Sequence, residues 1–103
     1  MKEVRLVDNS RLNGYFLVDE FGCAIETYAV LRNLVVGNVW NLYQSVHKNC
    51  KEFIGGDWIG WEARFDNAKR RLYHIALIDV RNICAENNFR FKDETNFKLY
   101  GRV

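Results

Sequence analysis

Apolar residues recur along the chain with a helical period, most clearly between Asn67 and Asn87. At about 100° per residue they form one continuous arc that is wider than a simple amphipathic helix needs. We therefore predict a helix over residues 67–87 that contacts a sheet on one side and a second helix on another. The arc consists of Leu72, Tyr73, Ala76, Leu77, Val80, Ile83 and Cys84, with Ala68 and Ile75 at one edge.

The same period predicts a second helix over residues 38–54. Asn38 is a favourable N-cap, and Gly55 and Gly56 are favourable residues for ending a helix. The apolar stripe of this segment consists of Val39, Leu42, Tyr43, Val46, Cys50 and Phe53.

Shorter runs of alternating or continuous apolar residues predict strands over Lys2–Asp8, Tyr15–Val18 and Cys23–Tyr28. The turn Asp19–Gly22 separates the last two, and its glycine can take the positive φ that a hairpin turn with a following bulge requires. Residues 57–65 also alternate as a strand does.

Two segments stay open at this level. Residues 29–36 fit either a strand or a short helix, because so short a run does not distinguish the two periods. Residues 89–99 fit either a closing hairpin or a strand followed by a tail. The simplest fold is a single α+β domain, residues 1–103, in which a mostly antiparallel sheet carries two helices (about 38–54 and 67–87) packed on one face, in the order βββαβαβ.

Composition narrows the class of protein only slightly. The chain is 49% apolar and 27% charged, which is ordinary for a globular domain of 103 residues. A net charge of +2 excludes an acidic DNA mimic and is too small to indicate a nucleic-acid binder by itself. The aromatic content of 15% must fill either a core or an interface.

The cysteine count and the lack of a predicted targeting signal together predict a cytoplasmic protein. The odd number of cysteines, Cys23, Cys50 and Cys84, favours three reduced thiols. No signal peptide and no run long enough for a membrane helix is predicted. The abundance of Asn, Lys, Ile, Phe and Tyr is typical of AT-rich coding sequences, such as those of phages and mobile elements.

The polar side of the helix predicted over 67–87 carries a basic row, defined as Arg70, His74 and Arg81, with Lys69 and Arg71 beside its start. Positive charges at a helix N-terminus oppose the helix dipole, at a cost of about a few tenths of a kcal/mol each. Because the sequence keeps these charges despite the cost, we expect them to bind an anionic partner. The competing interpretation is a solvated face with local pairs, such as Arg70 with Asp66.

Tryptophan residues are the second candidate for partner binding. On a regular strand Trp58 and Trp61 have opposite parity, which predicts that one lies in the core and that Trp58 is exposed. An exposed Trp58 or Trp40 would anchor a protein partner or stack on a base. Packing of both Trp58 and Trp61 in the core is the competing interpretation.

Other polar residues do not form a recognisable catalytic or metal site. His47 and Cys50 lack the further ligands that a zinc site needs. Asp79 lies near the edge of an apolar arc, which predicts an ion pair with a base. No P-loop, nucleophile elbow or dinucleotide-binding glycine pattern is present.

Together these patterns predict a small non-enzymatic binding protein without metal or cofactor. It would be an accessory or inhibitory module that docks on a protein or nucleoprotein with an acidic or phosphate surface, and the composition is compatible with phage or mobile-element origin. The alternative is a nonspecific nucleic-acid-binding domain. No membrane partner is expected, a homodimer is compatible with the sequence, and an enzyme ranks third.

Overall fold

A computed structural model describes residues 2–46 and 56–95 of the chain. Within these residues the chain forms a six-stranded mixed sheet and one α-helix. The elements are β1 (Glu3–Asn9), β2 (Gly14–Val18), β3 (Ala24–Arg32), β4 (Trp40–Val46), β5 (Asp57–Glu62), α1 (Phe65–Asn87) and β6 (Arg90–Asp93).

The sheet has the strand order β5-β4-β3-β2-β1-β6. Strands β1 to β5 pair with their sequence neighbours in antiparallel fashion, whereas β6 lies parallel to β1. α1 connects β5 at one edge of the sheet with β6 at the other. The helix therefore crosses one face of the sheet, and we call the opposite face the far face.

α1 confirms the helix predicted over residues 67–87 and begins two residues earlier, at Phe65. It ends at Asn87, and the C-cap residue Asn88 adopts the left-handed conformation with φ 54° and donates its N–H to the carbonyl of Cys84 at 3.0 Å. Asparagine tolerates this conformation better than most residues, so it serves here as a helix stop.

The core lies between α1 and the near face of the sheet. Alternate residues of β1 to β4 point towards the helix, and the burial of each large aliphatic side chain contributes about 1.5–3 kcal/mol. The buried cluster consists of Val4, Leu6, Tyr15, Leu17, Tyr28, Val30 and Leu42 from the sheet, and of Ala68, Leu72, Tyr73, Ala76 and Val80 from the helix.

The helix predicted over residues 38–54 is wrong where the structure describes that segment. Trp40–Val46 is strand β4, and residues 47–54 lie outside the described residues. Within the described residues, the predicted order βββαβαβ with two helices on one face is therefore replaced by five strands, one helix and a sixth strand.

Burial along β4 explains the error. Leu42 is fully buried against α1, whereas Asn41 and Tyr43 lie on the far face and are half-buried. The segment thus alternates with a period of two, and its Trp, Tyr and Val residues suit a pleated strand. Its apolar positions fit both periods, and pairing with β3 and β5 decides between them.

The segment 29–36, which the sequence leaves open between strand and helix, is divided between a strand and a loop. Residues 29–32 belong to β3, and residues 33–39 form the loop to β4. The predicted turn before β3 is confirmed, with Gly22 at φ 83°.

Cys84 is a free thiol and Cys23 is disulfide-bonded, so the prediction of reduced thiols is wrong for Cys23. Residues 96–99 lie outside the described part.

Candidate functional site

The basic row lies on the solvent side of α1. Arg70, His74 and Arg81 are all exposed, as their shared helical face predicts. His74 also packs its ring edge-on against Tyr73, with the centroids 5.8 Å apart. The row is therefore a continuous surface feature, although its exposure alone does not identify a partner.

The two neighbouring cations are engaged by the protein's own structure. The Nζ atom of Lys69 lies 4.7 Å from the ring centroid of Tyr15, and partial burial lowers the pKa of Lys69. Arg71 reaches across to β5, where its Nη1 donates to Glu62 Oε2 at 2.8 Å and to the Trp61 carbonyl at 3.2 Å. Lys69 and Arg71 are thus less available to an anionic partner than the row itself.

A β-bulge in β5 places Trp58 and Trp61 on the same face of the sheet. Trp61 pairs with Asn41 and Trp58 pairs with Tyr43, while Ile59 is left over at the register shift. Because Asn41 and Tyr43 lie on the far face, both indoles lie there as well. The regular alternation predicted for residues 57–65, with the two tryptophans on opposite sides, is therefore wrong.

Both indoles are substantially exposed. The exposed fraction is 57% for Trp58 and 51% for Trp61. Asn41 lies opposite Trp61 on β4, and its Oδ1 accepts a hydrogen bond from Trp58 Nε1 at 3.1 Å. This contact fixes the Trp58 ring over the sheet. We call the set Trp58, Trp61, Asn41 and Tyr43 the aromatic surface.

Trp40 does not belong to this surface. It lies on the near face of β4, is half-buried, and packs against Phe65 at the start of α1 with ring centroids 4.8 Å apart. Its environment is that of a residue that joins the helix to the sheet, so the structure does not support Trp40 as an exposed anchor.

The loop between β3 and β4 presents three consecutive aliphatic side chains to solvent. Leu34 is 96% exposed and Val35 is 92% exposed, and Val36 follows them. We call Leu34–Val36 the hairpin tip. It projects from the end of the sheet at which Trp61 lies, because Trp61 pairs near the beginning of β4.

Hydrogen bonds from the side chains of Asn33 and Arg32 and from the backbone hold the hairpin tip in one conformation. The Oδ1 atom of Asn33 accepts the N–H groups of Val35 and Val36, each at 2.9 Å. The N–H of Asn33 donates to the Val39 carbonyl at 2.9 Å, and Arg32 Nε donates to the Gly37 carbonyl at 3.0 Å. The tip is thus a pre-organised apolar projection. Three aliphatic residues between Asn33 and Gly37 are the sequence signal that could have identified it.

The ion pairs at this end of the sheet lie towards the near face, because Glu62 pairs in register with Trp40 and Arg71 belongs to α1. Arg71 pairs with Glu62 at 2.8 Å, and Arg64 pairs with Asp66 at 3.5 Å. Asp57 adds an exposed carboxylate next to Trp58. A groove that tracks a phosphate backbone needs an excess of positive charge, which this end of the described sheet lacks.

The basic row and the aromatic surface lie on opposite sides of the sheet. The row is on the outer side of α1, which covers the near face, whereas the two indoles are on the far face. The structure therefore does not bring Trp58 together with Arg70, His74 and Arg81, and one flat partner would not contact both surfaces.

A cluster of polar side chains lies between the middle of α1 and strands β3 and β4. Tyr28 Oη and Gln44 Nε2 both lie 2.8 Å from Asp79 Oδ2, and both also contact Glu26 Oε2. Burial raises the pKa of Glu26, and the nearby Asp79 carboxylate raises it further. The base predicted to pair with Asp79 is absent from the ion pairs of the described residues.

Comparison of the chain with protein-family models, with curated proteins and with solved structures finds no match. Within residues 2–46 and 56–95, no helix is long and apolar enough to cross a membrane. In that same part of the chain, no group of three or more His, Cys, Asp or Glu residues is placed to hold a metal ion. His47 and Cys50 lie outside it.

Proposed function

We propose that this protein is a non-enzymatic binding module, accessory or inhibitory in role, that docks on a partner protein through the aromatic surface. The observation that carries the proposal is the exposure of Trp58 and Trp61 on one face of a rigid sheet. Tryptophan and tyrosine are enriched among the few residues that supply most of the binding energy at protein interfaces.

The hairpin tip extends this surface. Leu34 and Val35 are almost fully exposed. Their burial in an apolar cleft of the partner would therefore remove nearly all of their apolar surface from water, which favours binding. The conformation fixed by Asn33 means that little conformational entropy is lost on binding.

The basic row remains a prediction as a second contact surface. Exposed charges of one sign steer association and raise the association rate more than they add affinity. Because the row faces away from the aromatic surface, we expect it to act on an acidic or phosphate region that reaches around the edge of the sheet, or on a separate molecule.

The second candidate function is binding of single-stranded nucleic acid. It is favoured by the same pair of indoles, since two aromatic rings on one sheet face form a stacking platform for bases. The nearby cations Arg64 and Arg71 are paired with carboxylates and are therefore less available to a phosphate backbone, which weighs against it. A cytoplasmic location likewise stays a proposal, and the disulfide at Cys23 weighs against it because disulfides persist mainly in oxidising compartments.

The main test compares capture of a partner by wild-type protein and by a Trp58→Ala, Trp61→Ala double variant. We expect the variant to recover at least tenfold less of the partner from host lysate, as quantified by mass spectrometry. With the partner purified, each single substitution is expected to weaken binding about 30-fold, which corresponds to about 2 kcal/mol for a central aromatic residue.

Phe21→Ala is the matched control. Phe21 is an exposed aromatic in the turn before β3, away from β5, so its loss should leave capture unchanged. An Arg70→Glu, Arg81→Glu variant tests the basic row separately. Equal capture by the wild type and the double tryptophan variant would contradict the proposal.

Short single-stranded DNA and RNA oligonucleotides distinguish the alternative. Stacking on Trp58 and Trp61 would quench tryptophan fluorescence, and the logarithm of the affinity would fall with the logarithm of salt concentration by about 0.7 per phosphate contact. Absence of binding at low salt would eliminate the nucleic-acid function and leave the protein-binding proposal intact.

A further inference from the structure

The polar cluster beneath α1 contains more acceptor atoms than its donors can serve. Tyr28 has a single hydroxyl proton, yet its oxygen is in contact with Glu26 Oε2 and with Asp79 Oδ2. Gln44 has two amide protons and can donate to both carboxyl groups, at 2.9 Å and 2.8 Å. One contact of the tyrosine oxygen therefore lacks a proton if both carboxyl groups are ionised.

We propose that Glu26 and Asp79 share one proton, which makes the attachment of α1 to strands β3 and β4 a proton-linked clamp. In the clamped state the neutral carboxyl of Glu26 donates its proton within the cluster. The carboxylate of Asp79 accepts from Tyr28 and Gln44. Every polar group in the cluster then has a partner, which half-buried polar groups require.

The described strands and helix place no paired cation beside the two carboxyl groups. β3 contributes Glu26 and Tyr28, β4 contributes Gln44, and α1 contributes Asp79. β5 contributes Asp57, which pairs in register with Gln44 and carries the same sign. On β2, Leu17 is the residue next to Glu26. In the described part of the chain no lysine or arginine forms an ion pair with either carboxyl.

Burial raises the pKa of Glu26, and this fixes the sign of the pH dependence. The folded state binds a proton that the unfolded chain releases near the ordinary glutamate pKa of 4.5. Stability from this proton is fully present below that pH and is lost as pH rises through the raised pKa of Glu26. Above it, two neighbouring negative charges loosen the contact of α1 with the sheet.

The test is chemical denaturation of the wild type and of Glu26→Gln between pH 4 and 9. Glutamine keeps the size and a donor N–H but has no proton to lose. Between pH 4.5 and the raised pKa, the unfolding constant of the wild type relative to the variant should rise by up to roughly tenfold per pH unit. Glu20→Gln, at an exposed turn position, is the matched control and should give a flat ratio.

Carbon-13 NMR titration of the Glu26 carboxyl in the wild type gives a second reading that does not depend on the folding of a variant. We expect a midpoint above 4.5, and a fall towards that value in Asp79→Asn, because the neighbouring negative charge is then gone. A midpoint at the ordinary value, or one unchanged by Asp79→Asn, would overturn the shared proton. A flat ratio for Glu26→Gln would overturn the clamp.

Discussion

At the scale of single residues, Gly14 is the position where the sheet leaves the least room. An added Cβ would lie 1.8 Å from the carbonyl oxygen of Tyr28, which belongs to the backbone of β3. That oxygen cannot move without disturbing the pairing of β2 with β3. We expect Gly14→Ala to lower the free energy of unfolding by about 3 kcal/mol or more, as measured by urea denaturation.

Gly37→Ala serves as its control. There an added Cβ would meet the flexible end of Arg32 at 3.4 Å, so the free energy of unfolding should change by no more than about 0.5 kcal/mol. Similar losses in both variants would show that the clash at Gly14 is not the cause.

The placement of Trp61 depends on one extra residue in β5, which the sequence pattern alone does not reveal. Strict alternation along residues 57–65 assigns Trp58 and Trp61 to opposite faces, and the register shift at Ile59 reverses this. A glycine inside a strand pattern is a known signal of a bulge, and Gly60 is such a glycine, with φ 153°. The sequence leaves open whether Trp58 is exposed or lies in the core, and the placement of both indoles on one face depends on the pairing of β5 with β4.

At the scale of the elements, α1 should depend on its buried side. Leu72 is fully buried, so Leu72→Ala is expected to lower the free energy of unfolding by about 2–5 kcal/mol through lost burial and the cavity left behind. Ile78 is 56% exposed on the same helix, and Ile78→Ala should cost about 0.5 kcal/mol or less. Thermal denaturation of the two variants checks the difference, and equal losses would contradict this packing.

Length explains why one helix was predictable and the other prediction failed. Over residues 67–87 the apolar arc repeats through many turns, which leaves little ambiguity. Over β4 the apolar residues Val39, Leu42 and Tyr43 satisfy a helical stripe, and Asn38 is a favourable cap. What makes this segment a strand is its pairing on both sides, and that pairing is not a local property of the chain.

At the scale of the whole molecule, the strand order predicts a gradient of local stability. β2 and β3 lie inside the sheet beneath α1, whereas β5 and β6 are its edges among the described strands. Native-state hydrogen exchange should show that amides in β2 and β3 exchange through global unfolding and that those in β5 and β6 exchange through smaller openings. Equal protection of β3 and β5 would contradict this gradient.

The sheet order itself was beyond prediction, because it joins segments that are far apart in the sequence. Val4 lies opposite Phe91 in the parallel pairing of β1 with β6, and the long helix that separates them supplies the connection. An alternating pattern shows that each segment is a strand but does not show which strand is its neighbour. For the same reason the separation of the basic row from the aromatic surface appeared only in three dimensions.

The pairing of β1 with β6 also means that one edge of β1 stays unpaired until β6 has been synthesised. β1 leaves the ribosome well before its partner on that flank, which is translated more than 80 residues later, from Arg90 onwards. During this interval the flank carries unsatisfied amide and carbonyl groups, the kind of template on which nascent chains aggregate. A slow translation step late in the message would lengthen that interval, and we expect a larger insoluble fraction as its consequence.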